Sequence, residues 1–217
     1  VTVLAPVLAA HPWPSNAELI EACARLDYLD ADALTLDATF GRGIFWRTWR
    51  PRRLITADKS KGRPMLRADF TRLPFPDHTF DRVILDPPYK LNGTDAGEGE
   101  RYGVERYASW QGRHQLIRGG ITDCARVLRP AGVLLVKCQD QVCSGAVRWQ
   151  TDEFTRHAES LGLDKVDRLD RLGHRPQPAG RRQVHAHGRP SSLLVFRAPA
   201  AAVPAAPTLF EVEGRVA

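Results

Sequence analysis

Short apolar runs, each ending on an acid or a turn signal, recur along the chain and alternate with stretches of helical spacing. Leu34-Thr35-Leu36 runs into Asp37, Arg53-Leu54-Ile55-Thr56-Ala57 into Asp58, and Val83-Ile84-Leu85 into Asp86. Val133-Leu134-Leu135-Val136-Lys137-Cys138 is a further run of this kind. The near absence of polar alternation predicts strands covered on both faces. Leu19, Ile20, Cys23, Ala24 and Leu26 recur at helical intervals behind the N-cap signal Ser15-Asn16. Leu116, Ile117, Ile121, Ala125 and Leu128 do the same over 114–128, before Arg129-Pro130-Ala131-Gly132 stops the helix. Phe154, Ala158 and Leu161 mark a helix between Trp149 and Gly162, and the turn Gly41-Arg42-Gly43 predicts another directly after it. Lys165–Leu172 and Ser191–Phe196 read as the final two strands. Strands alternating with helices predict an α/β fold built on a mostly parallel sheet.

Composition narrows this picture without changing it. A chain of 217 residues, 43% of them hydrophobic, suits one domain with a sizeable core. The domain is expected over 1–197, with 198–217 an Ala/Pro-rich disordered tail. No apolar run approaches the roughly 18–20 residues that cross a bilayer, and the first residues lack a basic stretch, so a cytoplasmic protein is expected. Four scattered cysteines argue against a disulfide framework, and neither they nor the histidines are spaced as a metal site. The net charge of +6 is compatible with a polyanionic partner.

The chemistry concentrates at Asp86-Pro87-Pro88-Tyr89-Lys90. Two prolines forbid continuation of the strand, so Asp86 and Tyr89 are presented at its carboxyl end, where open α/β sheets bind ligands. A carboxylate, proline carbonyls and an aromatic face suit a planar, amino-bearing base taken out of its stack. Upstream, Asp37-Ala38-Thr39-Phe40-Gly41-Arg42-Gly43 joins a strand-end acid to a turn in which glycine admits a close ligand. Asp58 follows Asp37 at 21 positions, near the step at which an acid meets ribose hydroxyls in nucleotide-binding units.

Taken in order, these residues resemble the class I S-adenosylmethionine-dependent amino-methyltransferases of the Asp-Pro-Pro-Tyr type, over roughly residues 11–197. The resemblance implies a Rossmann-like, seven-stranded, mostly parallel sheet with an antiparallel edge hairpin and helices on both faces. It implies S-adenosylmethionine as cofactor, bound through Asp37, Thr39, Phe40, Gly41, Gly43, Asp58, Asp69, Phe70 and Asp86. Asp37 would receive the amino-acid end of the cofactor, Asp58 the ribose and Asp69 the adenine amino group, with Phe70 flanking the ring. His11 and Trp13 would border the methionine end. Asp86, Pro87, Pro88 and Tyr89 would form the catalytic turn. Asp at its first position is closer to the adenine-N6 enzymes; Ser would lean towards cytosine-N4.

The expected partner is therefore DNA, with RNA as the alternative, and the expected state a monomer or homodimer. An RNA methyltransferase acting on adenine-N6 or guanine-N2 is the runner-up. A catalytically silent nucleic-acid-binding subunit is a third reading. A large separate recognition domain is lacking, so contacts are expected from the loops at 90–113 and 173–190. Lys90, Arg113, Arg175, Arg181, Arg182 and Arg189 are the phosphate candidates. Tyr102, Tyr107 and Trp110 are either stacking groups or loop anchors. Lys137 and Gln139, at the end of their strand, either shape the base pocket or pair within the sheet.

Overall fold

The computed structural model describes residues 6–59, 63–91, 109–173, 184–186 and 189–200. Arg175, Arg181, Arg182, Tyr102, Tyr107 and the segment 201–217 lie outside the described residues.

A central sheet is built from β1 (Ala10–His11), β2 (Leu34–Asp37), β3 (Arg53–Asp58), β4 (Leu66–Arg67), β5 (Phe80–Leu85), β6 (Leu128–Gln139), β9 (Asp164–Arg171) and β10 (Ser191–Arg197). Its order is β1-β9-β10-β6-β5-β2-β3-β4. β10 alone runs antiparallel to both neighbours. The sheet therefore has eight strands rather than seven, the addition being the two-residue β1 paired to β9. The antiparallel strand is also inside the sheet, not on its edge. A separate hairpin, β7 (Gln141–Cys143) with β8 (Ala146–Arg148), follows β6 directly.

Helix α2 (Trp110–Val127) and helix α3 (Gln150–Ser160) cover one face. They bury Ile117, Ile121, Cys124, Phe154 and Ala158 against Leu36, Val83, Leu85, Leu134 and Val136. Ser109 caps α2 by accepting from the Gly112 amide at 3.1 Å. Asp140 serves α3 in the same way, accepting from the Thr151 amide at 2.9 Å. At Gly120 a Cβ would stand 2.4 Å from the Phe70 ring, so glycine there lets α2 settle onto Phe70 and Leu85.

The other face is covered differently. Helix α1 (Asn16–Arg25) packs Leu19, Ile20 and Cys23 with Trp13 and Phe45 onto Ile84, Val133, Leu135, Leu193 and Val195. The helix expected after Gly43 is a single 3₁₀ turn, Ile44–Trp46. Two aromatics and Pro51 close behind it leave too little chain for an amphipathic helix before β3. No described residue between β3 and β5 is helical.

Past residue 197 the chain keeps two further ties to the fold. The Ala198 amide donates to Gly132 at 2.9 Å and the Pro199 carbonyl accepts from Ala131 at 3.0 Å, which holds this segment against the β6 entry. All four cysteines are free and buried. No described helix is long and apolar enough to cross a membrane.

Candidate active site at the carboxyl ends of β2, β3, β5 and β6

Parallel pairing brings the strand-end acids together. The register sets Asp37 beside Ile84 and Leu85 beside Val136, so Asp86 leaves the sheet one step past the pair that Lys137 also follows. The two turns are joined directly, because the Asp86 amide donates to the Thr39 hydroxyl at 2.6 Å.

Asp37 is buried, and its oxygens accept from the Thr39 amide at 3.0 Å and the Trp46 indole N–H at 2.7 Å. Burial pushes its carboxyl up to about 7, against the pull of these two donors; the charges of Asp86 and Asp58 add to the rise. The resemblance gave Asp37 to a cofactor, yet its partners here are the loop's own. It shapes the turn that Gly41 and Gly43 complete.

Those two glycines have different reasons. Gly41 sits at φ +54°, and a Cβ there would meet nothing nearer than the Thr39 carbonyl at 3.9 Å. Its amide donates to Asp58 at 2.6 Å, so an open backbone surface lies beside the second acid. Gly43, at φ +65°, has the Phe40 ring where a Cβ would go, 2.7 Å from its nearest carbon. Gly41 borders ligand space; Gly43 makes room for Phe40.

Asp69 forms an Asx turn with the Thr71 amide and hydroxyl, at 3.0 and 2.7 Å, and pairs with Lys59 at 3.1 Å. Burial works to raise its carboxyl, but these donors outweigh it and hold it below the usual range. Phe70 lies half-buried against Gly120 and the α2 core. Trp13 is a core residue, its ring edge-on to the exposed His11 at 5.3 Å.

The Asp86-Pro-Pro-Tyr turn is fastened at nearly every carbonyl. Tyr89 N–H donates to Pro87 O at 2.7 Å, Arg113 to Pro88 O at 2.6 Å, and Gln141 and Gln150 both to Tyr89 O at 2.8 Å. Among the described residues no donor reaches the Asp86 carboxylate, which keeps part of its surface open. Burial raises the Asp86 carboxyl and the charge of Lys137 works against that rise.

Lys137 is 1% exposed; its ammonium donates to Asn16 Oδ1 at 2.8 Å and lies 6.0 Å from the centroids of both Phe45 and Tyr89. Burial lowers its pKa, and Asp86 is the first charge opposing that change. A lysine in an otherwise apolar strand was the visible signal. Asn16, Trp46, Gln141 and Gln150 gave none that stood out from ordinary polar positions.

Two phosphate candidates are occupied internally. Arg113 is buried, holding the Pro88 carbonyl, so it is a strut of the turn and not a surface contact. Arg189 stacks its guanidinium 4.6 Å from the centre of the Trp149 ring, and its own carbonyl accepts from Gln139 at 2.7 Å. Trp110, a stacking candidate, carries Arg148 at 4.0 Å. Lys90 is half-buried at the end of the turn. The exposed positive charge lies elsewhere. Arg42, Arg47, Arg50, Arg53, Arg63, Arg67 and Arg72 are all exposed with no side-chain partner among the described residues. Arg42 follows Gly41 in the chain, and Arg67 lies opposite Asp58 in the β3–β4 register, so these two flank the carboxyl end.

No protein-family model matches the sequence, and no curated protein matches it. Solved structures do match by fold. The [4+2]-cyclase SpnF superposes with a TM-score of 0.56 at 16% identity, over 85% of this chain and 81% of that one. A putative sarcosine dimethylglycine methyltransferase from Galdieria sulphuraria gives 0.53 at 11% identity, over 84% and 85%. The fold is that of the class I, S-adenosylmethionine-dependent methyltransferases. An S-adenosylmethionine-dependent methyltransferase from Methanosarcina mazei adds a TM-score of 0.50 at 9% identity, over 82% of this chain and 98% of that one. At such identities the class I methyltransferase fold is what is shared; a cyclase among its bearers leaves the chemistry to the site residues.

Proposed function

We propose that this protein transfers a methyl group from S-adenosylmethionine to the exocyclic amine of a nucleobase, N6 of adenine in DNA. One observation carries the reading. At the carboxyl end of β5 an open carboxylate, Asp86, is followed by a turn whose later carbonyls are fastened from behind by Arg113, Gln141 and Gln150.

The loop fits the cofactor that this reading requires. The open side of Gly41 and the carboxylate of Asp58 next to it would receive the sugar and amino-acid portions, and Asp69 the base. Bound there, S-adenosylmethionine supplies a methyl group on a positively charged sulfur, reactive enough to be taken by a neutral nitrogen. The protein's own task is to orient that nitrogen. An aryl amine is a poor nucleophile because its lone pair is shared with the ring. Asp86 accepts one amine N–H and the second lone pair of Pro87 O another, which favours a pyramidal nitrogen. Tyr89 stacks on the base and fixes its plane, so positioning supplies much of the rate. Methylation leaves the nitrogen with an excess proton, and Asp86 is the base beside it.

A nucleic acid is favoured over a small metabolite by the exposed arginines. Three strand spacings separate β5 from β4, roughly 14 Å across the sheet. At 3.4 Å per base pair along one strand this is about four base pairs, so a duplex engaged at Asp86 runs towards Arg42 and Arg67.

The deciding experiment is mass spectrometry of nucleosides after incubation with cofactor and duplex DNA or RNA. N6-methyladenine in DNA is expected. N4-methylcytosine corrects the base, product in RNA alone corrects the polymer, and no product in either overturns the reading.

A further inference from the structure

Lys137 has no part in the mechanism above, yet it carries a charge inside the fold at the edge of the site. Its strand β6 lies parallel to β5, and the pairing of Leu85 with Val136 puts Asp86 and Lys137 at the next step of adjacent strands, with side chains on one face. That is the face covered by α1, whose first residue, Asn16, accepts from the ammonium at 2.8 Å. Phe45 and Tyr89 flank the same nitrogen. Asn16 is neutral, so the tether fixes the ammonium without neutralising it.

We infer that Lys137, held by Asn16, is a positioning residue that keeps Asp86 in its carboxylate form. The inference rests on the proposed function for its purpose, but not for its test. An ionised Asp86 accepts an amine N–H; a protonated one would instead donate to the nitrogen lone pair that must take the methyl group. Two effects oppose ionisation: removal from water, and the neighbouring acid Asp37, with which Asp86 shares a repulsion. Lys137 opposes both. The remaining groups around the pair do not substitute for it. The 3₁₀ turn contributes Phe45, β10 contributes Leu193 opposite Lys137, Cys138 is the next residue in the chain, and Arg171 on β9 acts on the lysine as a like charge. On β3, Asp58 stands beyond Asp37 and adds a further negative charge. Tyr89 contributes the ring that faces the ammonium.

The test reads Asp86 directly. Carboxyl-carbon NMR of the full chain, titrated without substrate, gives the Asp86 midpoint, its signal assigned by its disappearance in Asp86→Asn. Lys137→Met is expected to raise that midpoint by about one pH unit or more, the scale of removing one close opposite charge. Lys137→Arg, which keeps the charge, moves it less. Asn16→Leu keeps the lysine and removes its tether, and shifts the midpoint upwards by less than Lys137→Met; it serves alone if the methionine variant does not fold. An unmoved midpoint in folded Lys137→Met, or in Asn16→Leu where only that variant folds, overturns the inference. The acid limb of methyl transfer in Lys137→Met should move with the midpoint, whereas a purely structural lysine would lower the rate at every pH alike. If the wild-type protein methylates no nucleic acid, the proposed function falls and the titration still decides the role of Lys137. If it does methylate and the midpoint stays, the inference alone falls.

Discussion

The two halves of the site are made from the same material, an acid at the end of a parallel strand, and put it to opposite use. On β2, Asp37 turns both oxygens inward, accepts from its own loop and from Trp46, and is pushed by burial up to about 7. On β5, Asp86 receives no donor from the described residues, and the turn after it is fastened through its backbone. Asp37 is a keystone of the loop; Asp86 is left for something else to bind. The difference shows that a carboxylate's position in a motif does not fix its role. Its partners do.

This contrast breaks most sharply at Asp86. Asp86→Ala should lower methyl transfer by about 10³-fold or more, on the scale of removing a preorganised polar group from the reacting centre, with cofactor affinity in calorimetry almost unchanged. The equivalent change at Asp37 should instead weaken cofactor binding, by collapse of the Gly41 turn. The strut is next. Arg113→Met frees the Pro88 carbonyl and should lower turnover by about 10–100-fold, as a small misplacement of reacting groups does. The salt dependence of nucleic-acid binding should stay the same, which a phosphate-contacting arginine would not allow.

Stability sharpens the same comparison. The folded protein holds the Asp37 proton more tightly than the unfolded chain, so the native state binds more protons between about pH 4 and pH 7. The resulting stabilisation is complete below the unfolded pKa and fades as pH rises through 7. Its size is roughly 2–4 kcal/mol from the shift alone. Denaturant unfolding of Asp37→Asn should lack this slope over pH 4 to 7. The smallest effect is at the rim. Arg67→Ala with Arg72→Ala should make the salt slope of nucleic-acid binding shallower by about one for each phosphate the arginines had neutralised, and raise KM while sparing kcat.

The strands were legible because their apolar runs are uninterrupted and each stops at an acid. The helix after Gly43 was not, since a glycine turn announces a helix whether or not the following residues sustain one; Phe45, Trp46 and Pro51 decide against it. Ser144 and Gly145, both at positive φ, make the tight turn of the β7–β8 hairpin, and Ser-Gly between Val142 and Val147 was the signal for it. Charge misled at Arg113 and Arg189, because sequence records a guanidinium and not whether a carbonyl or a tryptophan has already taken it. The exposed arginines of 42–72 lie scattered through strands and loops, so no loop of basic character advertised them. Asn16 was read as a cap and Lys137 as a strand end. Their meeting depends on tertiary packing alone.

That meeting spans 121 positions of the chain. Pairings so distant in sequence close late, after local helices and neighbouring strands have formed. The catalytic turn lies between the two partners, at residues 86–89, and is therefore synthesised and shaped well before residue 137 emerges. A nascent or partly folded chain thus carries the motif but not the buried charge beside it. Activity arrives only with completion of the sheet, which makes the distance between helix α1 and strand β6 a timer for the maturation of the site.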